Sequence, residues 1–225
     1  MSKRLKSSKR LRAIRKRARS SKRPVKKTIS KRLRQIQQGV TYHCFSSCQG
    51  FNDLLLDPEA EIAFTEATEM SQNKYEFELG AAEIVGNHFH LVIRTLENGA
   101  TIDRIMQYIK ARTAEKYNKA TGRKGPFWNE RYKCKIVEHA DDPEEYLPRL
   151  KWYIALNPVR KGLSDNPRNN YIGFINCYLI EGYEAPVKIT LHPFFYKLGN
   201  TFAECAEKFL EYEKEYLQKE LITYS

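Results

Sequence analysis

The sequence is poor in several things, and each lack excludes a class of protein. No apolar run approaches the 18 or so residues that a membrane-spanning helix needs. The basic N-terminus MSKRLKSSKR is not followed by an apolar stretch, so it does not read as a secretory signal. No C-x-x-C pair and no zinc-finger Cys/His spacing occur. The cysteines number five, an odd count: Cys44, Cys48, Cys134, Cys177 and Cys205. That usage fits a reducing cytoplasm, with cysteine serving as a small apolar residue. Acid is missing from residues 1–38, which carry 17 Lys/Arg. The rest of the chain carries 22 Lys/Arg against all 27 Asp/Glu. The net charge of +12 therefore describes a tail and not a basic globular body. Such a block repels itself and is expected to be a disordered arm suited to a polyanion. With 41% hydrophobic and 12% aromatic residues, the remainder can bury a core.

Beyond Gly39 the pattern becomes that of a folded domain. Residues 40–48, VTYHCFSSC, read as a strand with Tyr42 and Cys44 on one face. Residues 59–72 fit a short helix with Ile62, Ala63, Ala67 and Met70 inward. Residues 75–85 and 88–95 read as two strands joined by a tight turn at Gly86-Asn87. Over 101–119, Ile102, Ile105, Met106, Ile109 and Thr113 recur at helical spacing, and Gly122 stops the helix. Residues 133–139 read as a fourth strand. A helix then begins with Asp142 as N-cap and Pro143 at its first position. The order β-α-β-β-α-β-α predicts an α+β, ferredoxin-like (split βαβ) fold. Its four-stranded antiparallel sheet would have helices on one face and the other face free for a site. Residues 166–199 look loop-like. A capping box at Thr201 and Glu204 opens a C-terminal helix with Phe202, Cys205, Phe209 and Tyr216 as its apolar stripe. The expected division is a basic tail over 1–38, a domain over 39–182, and an extension over 183–225.

Two clusters carry chemistry. In Asn87-His88-Phe89-His90-Leu91-Val92-Ile93, strand alternation points His88 and His90 the same way. Two such imidazoles can share a divalent ion, although an isolated H-x-H also fits two hydrogen-bonded core histidines. Further on, in YIALNPVRKG, Tyr153 and Asn157 fall one helical turn apart on one face. An ordinary half-buried tyrosine and a helix end before Pro158 would account for them equally well. Taken with the histidines, however, they make an open site of two imidazoles and an amide oxygen beside a phenol. That donor set suits Mg²⁺ or Mn²⁺ on a phosphate better than a closed zinc site. Pro148, five residues before Tyr153, is expected to kink this helix.

The pairing of NHFHLVI with YIALNPVRKGL, linked by a basic helix and GPFWNERYK, resembles the single-tyrosine HUH transposases. It is similar in particular to the REP-associated tyrosine transposases and their IS200-like relatives, over about residues 41–178. The resemblance implies cleavage and rejoining of single-stranded DNA through a covalent 5′-phosphotyrosine. Tyr153 would be the nucleophile, and His88, His90 and Asn157 the ligands of Mg²⁺ or Mn²⁺. It also implies a ferredoxin-like fold, a homodimer, hairpin DNA as partner, and no small-molecule cofactor.

Residues 104–135 hold ten Lys/Arg against two acids, with Tyr117, Phe127, Trp128 and Tyr132 interleaved. That mixture suits single-stranded nucleic acid. Lys110, Arg112, Arg131 and Lys133 are candidate phosphate contacts, and so are Arg160 and Lys161 beside Tyr153. Two other functions fit the same residues. One is a catalytically silent regulator that binds structured DNA or RNA. The other is a metal-dependent nuclease that uses water and leaves Tyr153 a structural role.

Overall fold

The computed structural model describes residues 36–50 and 53–220, with Glu220 placed by its backbone alone. The basic segment predicted over 1–38 lies, as far as residue 35, outside the described residues.

Four strands form one sheet: β1 (Thr41–Ser47), β2 (Phe77–Val85), β3 (His88–Thr95) and β4 (Lys133–Ile136). Their order is β2-β3-β1-β4, and every neighbouring pair is antiparallel. With helices α1 (Pro58–Lys74) and α2 (Ile102–Thr121) in the connections, this is the ferredoxin-like plan the element order predicts. β2 and β3 are adjacent because Gly86 takes φ 65° in the turn between them. That φ favours glycine, and an added Cβ there would also push against the Asp53 carboxylate, which would have to move aside.

The core lies between the sheet and α1/α2. Cys44, Phe89, Leu91 and Ile93 are fully buried on this face, and the Phe64 ring of α1 meets Phe89 at 5.1 Å. α2 follows its predicted stripe, with Ile102, Ile105, Met106, Ile109 and Thr113 buried, and it ends on Gly122 in the left-handed region. α1 departs from prediction. Ala63 and Ala67 face inward, but Ile62 is 50% and Met70 36% exposed. The inward stripe is Ala60, Ala63, Phe64, Ala67 and Thr68. Phe64 sets its phase by packing on Phe89, and the alanines let the helix lie close; Ile62 and Met70 are left outside.

Helix α3 (Pro143–Arg160) starts as expected, with the Asp142 carboxylate accepting from the amides of Glu144 and Glu145. It then runs on past Pro148, the position of the expected kink, and through Pro158 as one continuous helix. It lies over the β2 side of the second sheet face, which is therefore only partly free. β4 is shorter than predicted, ending at Ile136 before a 3-10 turn over Val137–His139. Residues 166–199 contain three short 3-10 turns and supply buried Ile172, Phe174, Ile175, Tyr178, Val187 and Phe195. The C-terminal helix α4 (Phe202–Glu220) packs on α3 of its own chain. There Trp152 stacks on Phe209 at 5.1 Å, and its indole N–H donates to the Phe209 carbonyl at 2.7 Å. All five cysteines are free, and four are buried.

Candidate active site

The second sheet face is built in rows. Antiparallel register places Lys133 (β4) opposite Phe45 (β1), Phe45 opposite His90 (β3), and His90 opposite Glu83 (β2). Directly opposed residues share a face, so these four side chains form one line across the sheet. In the next row stand Lys135, His43 and Val92. His88 joins His90 through strand alternation, and their rings meet edge-on at 5.0 Å.

His90 is the centre. It is 4% exposed, and both its ring nitrogens are engaged. Nδ1 lies 2.9 Å from Nε2 of His43, and Nε2 lies 3.2 Å from Nδ2 of Asn157. With the amide donating to Nε2, His90 carries its proton on Nδ1 and donates it to His43. The Nε2 lone pair of His90, which accepts from the Asn157 amide, therefore faces α3. The Tyr153 ring meets the His90 imidazole edge-on at 5.8 Å. The structure thus brings His88, His90, Tyr153 and Asn157 of one chain together.

Electrostatics keep these imidazoles neutral. Burial pushes His43 down to about 4, helped by Lys135. Burial also brings His88 down to about 4, reinforced by Lys161 and opposed by Asp53. His90 is held well below the usual range by burial, and then by His43, His88 and Lys161. Unprotonated imidazoles beside a carboxamide are a donor set that a hard divalent cation accepts. Among the described residues, no group of three or more His, Cys, Asp or Glu is arranged to hold a metal. A site here would use two histidines and the amide.

The buried Glu83 carboxyl accepts from the Ile84 amide at 3.0 Å and from Nδ2 of Asn170 at 2.9 Å. The same Asn170 nitrogen donates to the Ala155 carbonyl at 2.9 Å. Ala155 lies between Tyr153 and Asn157, so this bridge fastens the helix bearing both to the sheet. Burial raises the Glu83 carboxyl to about 8, against the lowering effect of the Asn170 bond.

The candidate phosphate contacts separate by location. Lys161 is exposed, with Nζ 3.5 Å from Nδ1 of His88. Arg160 donates to the Tyr216 hydroxyl at 3.1 Å, on the α4 side. Lys133 is exposed on the histidine face and pairs with Glu130 at 2.7 Å. Arg131 is exposed just before β4. Lys110 reaches Ser46 Oγ at 2.6 Å and the Glu130 carbonyl at 2.5 Å, and lies over the Trp128 ring. Ser46 alternates with Phe45, so Lys110 is on the sheet face away from the histidines. Arg112, on the same helix, pairs with Glu115. Trp128 is half-buried against Phe89 and Phe127, and donates to the Lys110 carbonyl at 2.7 Å.

Sequence reasoning missed His43, Phe45, Glu83 and Asn170. His43 and Phe45 alternate with Tyr42 and Cys44 in a strand that was readable, so their shared face was available. Glu83 and Asn170 carried no signal, because 86 residues of chain intervene between them.

The family described as "Transposase IS200 like" matches residues 37–155, more than half of the chain, and the protein belongs to it. That span includes His88, His90 and Tyr153, and ends before Asn157. A solved structure, "REP associates tyrosine transposase bound to a REP hairpin", aligns with a TM-score of 0.55 and 17% identity. The alignment covers 70% of this chain and 89% of that one, and the likeness is one of fold. A putative transposase from Deinococcus radiodurans shares 18% identity over 52% of this chain and 90% of its own, with a TM-score of 0.33. No curated protein matches the sequence significantly.

Proposed function

We propose that the protein cleaves and rejoins single-stranded DNA beside hairpins, with Tyr153 as nucleophile. One observation carries the reading: phenol, imidazole pair and carboxamide meet in a single chain, with Tyr153 and Asn157 both against His90. The Tyr153 oxygen forms a bond to the scissile phosphorus as the bond to the 3′ oxygen breaks. The phenol proton leaves to water, and the departing 3′ oxygen takes one up. The products are a 5′-phosphotyrosine and a free 3′-hydroxyl, and attack by such a hydroxyl reverses the step. His88, His90 and the Asn157 amide oxygen would hold Mg²⁺ or Mn²⁺, which supplies charge to the phosphate oxygens. Lys161, beside His88, offers a second positive charge to the same phosphate. The neighbour's bound hairpin supports a hairpin substrate; the cytoplasm, where such DNA lies, is the proposed location. A homodimer would carry two such sites, each complete within its own subunit.

The test is incubation with hairpin-bearing single-stranded oligonucleotides and Mg²⁺ or Mn²⁺. A covalent protein–DNA adduct is expected, and Tyr153→Phe should abolish it. No adduct from wild type, or an undiminished one from the variant, rejects the proposal. In that event tight binding without cleavage would support a silent binding regulator.

A further inference from the structure

We infer that the β1–β4 edge of the histidine-bearing sheet face is a binding site for one or two nucleotides of single-stranded DNA, with a base stacked on Phe45 and phosphates on Lys133 and Lys135. The inference rests on the proposed function and extends it to how the strand is held.

Three observations carry it. First, Phe45 is an aromatic ring left partly open on a face whose neighbours are polar. Its ring lies 5.4 Å from His43 and 6.0 Å from His90, both buried, while Phe45 itself is half-buried. Second, Lys133 and Lys135 are the next residues out in the rows of Phe45 and His43, and both are exposed. Two strand spacings, about 10 Å, separate the Lys133 backbone from that of His90. A base on Phe45 thus lies between the lysines and the proposed cleavage site. Third, the rest of this face is occupied: α3 covers the β2 side, and residues 166–199 pack beneath it. The charge is complementary to a phosphate backbone. Of the acids at this edge, Glu138 is held by the Thr41 amide, and Glu130 is in an exposed pair with Lys133, a kind that contributes little and is readily exchanged for phosphate. Stacking on an aromatic ring with lysines alongside is the usual means of holding single strands without sequence preference. Lys110, on the opposite sheet face, is turned into protein contacts, so the basic patch of α2 does not extend this path.

The experiment uses the full chain carrying Tyr153→Phe, in EDTA, so that binding is read apart from cleavage. Fluorescently labelled, hairpin-free single-stranded DNA is titrated by anisotropy over a range of salt. Phe45→Leu, which keeps apolar volume but removes the π face, should weaken binding about 5- to 100-fold, and Phe45→Tyr should restore it. Lys133→Ala with Lys135→Ala should reduce the slope of log K against log salt by about 1.4. Lys116→Ala, on α2, should leave affinity within twofold. An oligonucleotide containing 5-iododeoxyuridine should photo-crosslink to the peptide holding Phe45. Wild-type affinity in both the Phe45→Leu and the double-lysine variant overturns the inference. So do crosslinks confined to residues 1–35. If wild type forms no covalent adduct but the crosslink reaches Phe45, the cleavage reading fails and this site stands. If the adduct forms while Phe45→Leu binds normally, this site fails alone.

Discussion

Replacing His43 with alanine tests the arrangement around His90 directly. His43 is buried, and its Nε2 is the acceptor for the Nδ1 proton of His90 at 2.9 Å. Alanine leaves that N–H buried and unpaired, at a cost of about 1–3 kcal/mol, before any cavity contribution. It also releases His90 to carry its proton on Nε2, the nitrogen that faces Asn157. A ligand histidine that loses its supporting partner binds metal about 10- to 100-fold more weakly. Mn²⁺ titration followed by electron paramagnetic resonance, without DNA, measures this apart from catalysis. His43→Ala should lose affinity in that range, and His43→Asn, whose carbonyl can accept the same proton, should recover most of it. A folded His43→Ala protein with wild-type Mn²⁺ affinity would refute the reasoning. So would an Asn variant as weak as the Ala one.

Other consequences concern pH and packing. His43 and His88, lowered from 6.5 to about 4 by burial, favour the fold as neutral rings. Their contribution is complete above pH 6.5 and is lost as pH falls through 4, so thermal unfolding should move to lower temperature on acidification. Glu83 has the opposite sign: its carboxyl, raised from 4.5 to about 8, stabilises the fold below pH 4.5 and loses that contribution as pH rises through 8. The melting temperature of Glu83→Gln relative to wild type should therefore climb between pH 4.5 and 8 and then level off; a difference that ignores pH contradicts the assignment. Phe209→Ala removes the ring stacked on Trp152 and should cost about 3–5 kcal/mol in urea unfolding. A loss below about 1 kcal/mol would mean that α4 is not part of the folding unit.

Much of this molecule can be read from its residues, and the unread parts have identifiable causes. Helix α2 was legible because its buried positions are isoleucine and methionine at helical spacing. In α1 the inward positions are mostly alanine, a weak signal, and the larger Ile62 and Met70 misled. Pro148 suggested a kink and Pro158 a helix end, yet the helix continues through both, with Leu147, Leu150, Trp152 and Ile154 buried along it. His88, His90, Tyr153 and Asn157 were singled out by motif, and they converge. The residues that hold them in place come from remote segments, and only folding reveals those.

The Asn170 bridge bears on how two copies could cooperate. A dimer could in principle exchange the nucleophile-bearing segment between partners. Here, withdrawing α3 would break the bond from Asn170 to the Ala155 carbonyl and would strip Trp152 from Phe209. On the proposed reading, a segment so anchored keeps Tyr153 beside the histidines of its own chain, and a pairing of copies would serve to bring two DNA ends side by side.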